Sequence, residues 1–392
     1  MTKDYVTRVH ASPDSIAATD WDRLVALDPD PSPFIGHAYL KALHDSGAAT
    51  EATGWIPRFI SLHEGDRLVG ACPLYVKSHS YGEYVFDWSW AQAHEQHGLA
   101  YYPKGLVAIP FTPVPGVRLL AESRTVRLLL LKALEQVART WGLSSLHLLF
   151  ARPQELEAAR ELGWMWRETV QFHWAQNAGE DLSSGCFTDF EHFLSSLQQE
   201  KRKKIRQERR KVAGAGVVFR QVAGRDITQD DWAFFWRCYE RTYLEHGNPP
   251  YLNPDFFRQV SDRMPAHWLM FIAEREGRPL ACSLIALDPL RRIAYGRYWG
   301  ALERVDCLHF EACYYQPLQW CIANGYRRFE GGAQGEHKMA RALLPVRAMS
   351  AHWLAHPAFA GAVDRFLERE RQGIAHYLDH LKERDPRRHP AP

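Results

Sequence analysis

The 392-residue chain carries 48 basic and 46 acidic side chains, a formal net charge of +2, and is 46% hydrophobic, 12% aromatic and 24% charged. That balance excludes a disordered, collagen-like or histone-like chain, so an anionic partner has to be met by a local patch. Seven scattered cysteines without a CxxC pair signal neither a disulfide framework nor a zinc site, and no h-region or eighteen-residue apolar run occurs. We therefore expect a cytoplasmic protein with no membrane span, no bound metal and two or three domains.

In chain order, Phe59 to Leu68 reads as strand, Glu64-Gly65 turn, strand, which is a β-hairpin. Asp87, Trp88, Trp90, His94, His97, Tyr101, Tyr102 and Lys104 follow as an aromatic and polar cluster suited to a ligand cleft, with core packing as the competing reading of the tryptophans. His94-x-x-His97 lacks a third metal ligand. Leu128 to Ala138 reads as a helix closed by Gly142, Ser145 to Phe150 as a short buried strand, and Thr169 to Trp174 as a strand ending in His-Trp. Asn177 to Gly185, rich in Ser, Gly and acid, is the expected linker.

The next helix has an apolar stripe of Phe190, Leu194, Leu197, Ile205 and Val212 and carries the densest charge run of the chain, Lys201 to Lys211, with eight basic residues and one acid. Lys201, Arg202, Lys204, Arg206 and Arg209 are the candidates for nucleic-acid contact, against the reading that they form a solvated helix face. Trp232, Phe235, Trp236, Tyr239 and Tyr243 recur at helical spacing as core. A second hairpin spans Phe271 to Leu280, and Tyr295 to Trp299 is a strand whose alternation sends Arg297 and Trp299 to one face and Tyr298 to the other. Phe310 to Ala323 is a helix, Arg327 to Gly331 a buried strand, Ala348 to Trp353 another strand, and Phe359 to Leu381 a last helix before a frayed tail from Arg384.

The landmarks of the second half repeat those of the first. Phe59, Ile60, Glu64, Gly65 and Leu68 match Phe271, Ile272, Glu276, Gly277 and Leu280 at one offset. The helix and strand 128–150 match 310–331, and the His-Trp strands match each other. The order hairpin, strand, helix, strand, final strand is thus written twice, giving an α+β fold of two similar mixed-sheet units with flanking helices. The expected division is 1–180, 181–356 opening with the basic helix, and 357–392 as a C-terminal helix and tail.

This duplicated pattern resembles the tandem GNAT architecture of the Fem aminoacyltransferases, and more closely the FemAB-like "peptidoglycan biosynthesis/recognition" group of N-acyltransferases. The resemblance is carried by Phe86–Ala91, Tyr101–Lys104, Pro110–Arg118, Glu330–Lys338 and Ser350–Trp353. It implies transfer of an acyl or aminoacyl group to an amine on a small molecule or peptide. The reaction needs the amine deprotonated, the oxyanion stabilised and both partners aligned, without a covalent nucleophile.

Coenzyme-A-using GNAT proteins hold pyrophosphate on a glycine-rich loop before a helix. Here that place is taken by Gly300 to Leu308, with one glycine and two acids, and in the first half by Pro110 to Arg118, with three prolines. Neither suits acyl-CoA, so aminoacyl-tRNA is the donor that the resemblance implies, with tRNA as a partner; Arg118 could still meet a phosphate.

The best site candidate is Glu330 to Arg341, where Gly331, Gly332 and Gly335 let a backbone approach a ligand at a strand end. Glu330, Glu336, His337 and His352 are the catalytic candidates, with Glu336 or His337 accepting the amine proton. Asp87, Trp88, Trp90, Tyr101, Lys104, Arg118, Arg297, Trp299, Gln334, Lys338, Arg341 and Ser350 are the substrate-binding candidates. Two other readings stand beside this one: an acetyl-CoA enzyme with an atypical phosphate loop, and a non-catalytic module that recognises peptide, glycan or RNA.

Overall fold

The structure, a computed structural model, describes residues 4–176, 186–333 and 335–388. The strands are β1 (Tyr5–His10), β2 (Trp55–Pro57), β3 (Phe59–Glu64), β4 (Arg67–Cys72), β5 (Leu74–Lys77), β6 (Lys104–Val107), β7 (Leu120–Ala121), β8 (Ser145–Leu148), β9 (Met165–Ala175), β10 (Val217–Ala223), β11 (Trp268–Arg275), β12 (Arg278–Asp288), β13 (Ile293–Ala301), β14 (Arg328–Ala333) and β15 (Leu344–Leu354). The helices are α1 (Ala18–Val25), α2 (His37–Asp45), α3 (Trp88–Gln96), α4 (Arg124–Trp141), α5 (Pro153–Glu161), α6 (Phe190–Ser195), α7 (Gln199–Gly214), α8 (Gln229–Glu245), α9 (Pro254–Arg263), α10 (Leu308–Phe310), α11 (Gln316–Ala323) and α12 (Pro357–Glu383).

These elements form two compact units. One comprises the residues through Thr169 together with Arg347–His376, and the other comprises Val170–Val346 with the residues from Tyr377 onward. The division differs from the consecutive segments expected, because the two His-Trp strands change places. After the β8 strand of the first unit comes β15, in register His352↔His147, while after β14 of the second comes β9, in register Phe329↔Trp174. Each repeat therefore ends on the strand encoded by the other half of the chain.

In the first unit, β1, β3, β4 and β7 form one antiparallel sheet, and β2, β5, β6, β8 and the end of β15 form a second ladder. Ile60, Leu62, Val69 and Leu74 pack against Leu130, Leu131 and Leu134 of α4. That helix begins at Ser123, whose Oγ accepts from Val126 N at 3.2 Å, and closes on Gly142 at φ +65°.

In the second unit the order is β10-β11-β12-β13-β14-β9. The β11–β12 hairpin turns on Glu276 and Gly277, both at positive φ, the backbone a two-residue hairpin turn requires. Phe172 and Trp174 of β9, Phe271, Ile285 and Phe329 form the core with Tyr315, Leu318 and Ile205. Between α10 and α11 the backbone makes a π turn over Glu311–Tyr315. The expected linker 177–185 lies outside the described residues. Residues 384–388 are tied down rather than frayed: Gln198 N donates to Pro386 O at 2.8 Å and Arg388 N to Ser196 O at 2.8 Å.

Gly300 on β13 lies against α8, where an added Cβ would stand 2.0 Å from the Cys238 carbonyl oxygen. Because that neighbour is backbone, Gly300→Ala has to push α8 off the sheet and should cost about 3 kcal/mol. Urea unfolding checks this; an unchanged midpoint would refute the packing described.

Candidate functional site

In the second unit β13 and β14 run parallel but pair only over Ile293↔Arg328, Ala294↔Phe329 and Tyr295↔Glu330. Beyond that point β13 follows β12 through a bulge that skips Arg297, and β14 follows β9 with a register jump between Glu330 and Ala333. The strands part, and a pocket of about 140 Å³ opens between them. Its walls include Arg297, Tyr298 and Trp299 from β13, Gly331 from β14, His309 and Tyr314 from the helical segment, and Lys338. The bulge changes the expected alternation at Arg297, whose Nη2 donates to Tyr298 OH at 3.0 Å, whereas Tyr298 packs on Phe235, Tyr239 and Phe257 and Trp299 on His309, apart from each other as expected. At Gly331 a Cβ would meet Leu343 Cδ2 at 2.4 Å and Phe172 O at 2.8 Å, so the close approach requires glycine.

Lys338 reaches the pocket from the 3₁₀ turn Glu336–Arg341, which is bracketed by Gly335 at φ +92° and Ala342 at φ +58°. Its ammonium donates to Gly331 O at 2.6 Å. The side chain is 6% exposed, and burial lowers it to about 8. Burial takes His309 down to about 4, aided by His337, Arg341 and Lys338, so its ring is neutral. His337 is lowered by the same means and its Nε2 meets Tyr314 OH at 3.2 Å. A partly desolvated ammonium, a phenol and the neutral His309 imidazole thus line one opening, with the neutral His337 ring behind the phenol, an arrangement suited to polarising a carbonyl and moving a proton.

The other residues expected on this segment lie differently. Glu336 is held by Arg384 at 2.5 Å and Tyr377 at 3.1 Å, and these bonds keep its carboxyl below the usual range, which makes it a poor base. Glu330 is buried, with Arg328 Nε at 2.9 Å and His173 at 3.9 Å. Arg341 is buried and bonds Glu208, Tyr315 and the His337 carbonyl. Gln334 lies outside the described residues.

The first unit holds a separate polar chain. Lys104, wholly buried, donates to Asp87 at 2.5 Å, Glu83 at 2.8 Å and Ser80 at 2.7 Å. Asp87 also accepts from Tyr101 OH at 2.5 Å, Tyr101 meets His147 Nε2 at 3.3 Å, and His147 Nδ1 meets His352 Nδ1 at 2.8 Å. Burial pushes Glu83 up to about 7 and takes Lys77 down to about 7. For Asp87 burial acts upward, but Lys104 and His147 prevail and hold the carboxyl well below its usual range. Burial keeps His147 and His352 neutral, so one imidazole donates to the other.

Asp87, Trp90, Tyr101, Lys104 and His352 are therefore brought together, Trp90 lying edge-on to His352 at 5.0 Å between centroids. Trp88 is instead exposed, stacked edgewise with Tyr81 at 5.0 Å. Ser350 Oγ accepts from Phe150 N at 3.2 Å inside the core. Arg118, expected at a phosphate, is wholly buried and donates to Val114 O at 2.6 Å and Val117 O at 3.1 Å, which fixes the proline-rich loop.

On α7, Ile205, Glu208 and Val212 face inward. Arg209 is engaged by Glu311 at 3.1 Å and Arg206 by Glu191 at 2.5 Å; Arg202 donates to Ser195 O at 3.3 Å, Lys201 is half-buried and Lys204 is exposed. Sequence reasoning missed His309, Tyr314, Glu83, His147 and Glu208. The first four belong to an apolar-looking helix or strand or to an irregular loop, and Glu208 to a basic helix, where no spacing rule marks them.

Lys104→Ala should strand Glu83 and Asp87 in a dry interior and cost about 3–5 kcal/mol. Urea unfolding reads the loss, and a change below about 1 kcal/mol would contradict the charge network.

A family profile described as FemAB-like, peptidoglycan biosynthesis/recognition, matches residues 12–389. No curated protein matches the sequence. Among solved structures the chain is similar to the crystal structure of FemX, with 10% identity, a TM-score of 0.54, and coverage of 89% of this chain and 98% of that one. It also resembles the C-terminal domain of a lysylphosphatidylglycerol synthetase from Agrobacterium fabrum, with 11% identity, TM-score 0.49 and coverage of 90% and 95%. A tandem GNAT protein of the clavulanic acid pathway gives 14% identity, TM-score 0.47 and coverage of 90% and 99%. With the duplicated unit, the parted strands and a profile match over nearly the whole length, the chain belongs to the FemAB-like family and has its tandem GNAT fold.

Proposed function

We propose that this protein is an N-acyltransferase that moves an acyl or aminoacyl group onto an amine at the parting of β13 and β14. The observation that carries the reading is the buried ammonium of Lys338 at the floor of that opening. The amine nitrogen attacks the donor carbonyl, the carbonyl oxygen gains charge, the carbonyl re-forms as the bond to the leaving oxygen or sulfur breaks, and the proton lost by nitrogen is passed on to that leaving group. Lys338, in a poorly solvated site, stabilises the oxyanion. His337, neutral and open to water, accepts the amine proton through Tyr314 OH.

For the donor we favour aminoacyl-tRNA, which places the reaction in the cytoplasm. The loop before α10 has one glycine, its Glu303 is paired with Arg275, and α10 is a single turn leading into a π turn, a weak phosphate cradle. The outward face of α7 offers Lys203, Lys204, Arg210 and Lys211 to a phosphate backbone. The family description and the FemX likeness make a peptidoglycan-type amine the acceptor class to test first.

A screen of charged tRNAs and acyl-CoAs against such amines, read by mass spectrometry, tests the reaction. Lys338→Ala should lower kcat about a hundredfold or more. Because Lys338 loses its charge as pH rises through about 8, wild-type kcat/KM should fall above that pH, and the variant should lack the fall. Wild-type turnover in folded Lys338→Ala would remove the residue from the mechanism.

A further inference from the structure

We infer that Glu208, the one acid in the basic run of α7, is a positioning residue that acts through Arg341 to fix the turn carrying His337 and Lys338. Arg341 Nη2 donates to Glu208 Oε2 at 2.9 Å, Nη1 to the His337 carbonyl at 2.7 Å and Nε to Tyr315 OH at 3.1 Å. Tyr315 OH also donates to Glu208, and the guanidinium lies 3.6 Å over the Phe310 ring. Arg341 and Glu208 are 2% and 7% exposed, so this is a desolvated, multiply bonded pair that is costly to break.

The turn needs such a hold. Ala342 sits at φ +58°, a conformation that costs a residue with a Cβ free energy and persists only where surroundings impose it. The other charged tie, Glu336 to Arg384, joins side chains 43% and 51% exposed, where an ion pair contributes little. Arg341 sits four residues from His337 and three from Lys338, so the direction in which both side chains leave the turn follows from where α7 holds it. The basic helix thereby braces the turn behind the site as well as presenting a charged surface.

The inference rests on the proposed role of Lys338 only for its effect on rate, and its test works without a substrate. The groups facing Lys338 are Cys313, His309, His337, Arg341 and His173. Trace acetylation with acetic anhydride across pH, followed by peptide mass spectrometry, gives the titration midpoint of Lys338 in the full chain. In wild type it should lie at about 8.

Glu208→Gln should release the turn, let Lys338 reach water and raise the midpoint by about one pH unit or more toward the ordinary lysine value. Under any donor and amine that turn over, kcat should fall about tenfold or more while KM changes less than about threefold. Arg206→Gln, which breaks the exposed pair with Glu191 on the same helix, should leave the midpoint in place. If Glu208→Gln does not fold, Tyr315→Phe keeps the ring, removes the shared hydroxyl and should raise the midpoint by about half a unit. An unmoved midpoint in a folded Glu208→Gln or Tyr315→Phe protein, or an equal rise in Arg206→Gln, overturns the inference.

Discussion

The site depends on a break in backbone pairing. Two parallel strands that hydrogen-bond for three residue pairs and then separate leave donors and acceptors facing an opening instead of each other. A bulge at Arg297 turns one strand aside, and Gly331 lets the other pass within contact of Phe172 and Leu343. A polarised reaction can use such an opening because the walls are fixed, the volume is small and the floor is a lysine held in a poor solvent for its charge.

The first unit shows what the same plan becomes when the opening is filled. Its β6 and β8 pair over Gly105↔Leu146, Leu106↔His147 and Val107↔Leu148. The ladder continues through Leu149 N to Val107 O at 3.1 Å, and Gly116 N of the proline-rich loop bonds Phe150 O at 3.0 Å. Arg118 and Glu155 lock that loop from inside, Glu155 accepting from Arg118 N at 2.7 Å. The polar chemistry of this unit is drawn inward, where Lys104 bridges Asp87 and Glu83. Two copies of one supersecondary unit have thus diverged in the solvation of their charges more than in their topology.

Much of this was legible in the sequence. The hairpins, the glycine-closed helix and the His-Trp strands are local signals with a local cause, and their duplication followed from comparing the chain with itself. Lys338 and His337 became candidates because three glycines in five residues have no use inside a strand. The exchange of β9 and β15 was not legible, since an eleven-residue strand looks the same whichever unit it completes. Nor was the bulge at Arg297, which depends on pairing with β12. Glu336 and Arg118 were misjudged for one reason: residue type announces a charge but not the partner that neutralises it, and Arg384 and the Val114 carbonyl are remote in sequence or hidden in a loop. Glu208 was passed over because one acid among eight bases reads as a surface detail until its burial is known.

The most direct measurement is a crystal structure with an N-acyl product bound. The product amide should lie between β13 and β14 with its carbonyl oxygen within about 3.2 Å of Lys338 Nζ. An amide bound away from this opening, with Lys338 still closed against the Gly331 carbonyl, would contradict the proposed mechanism.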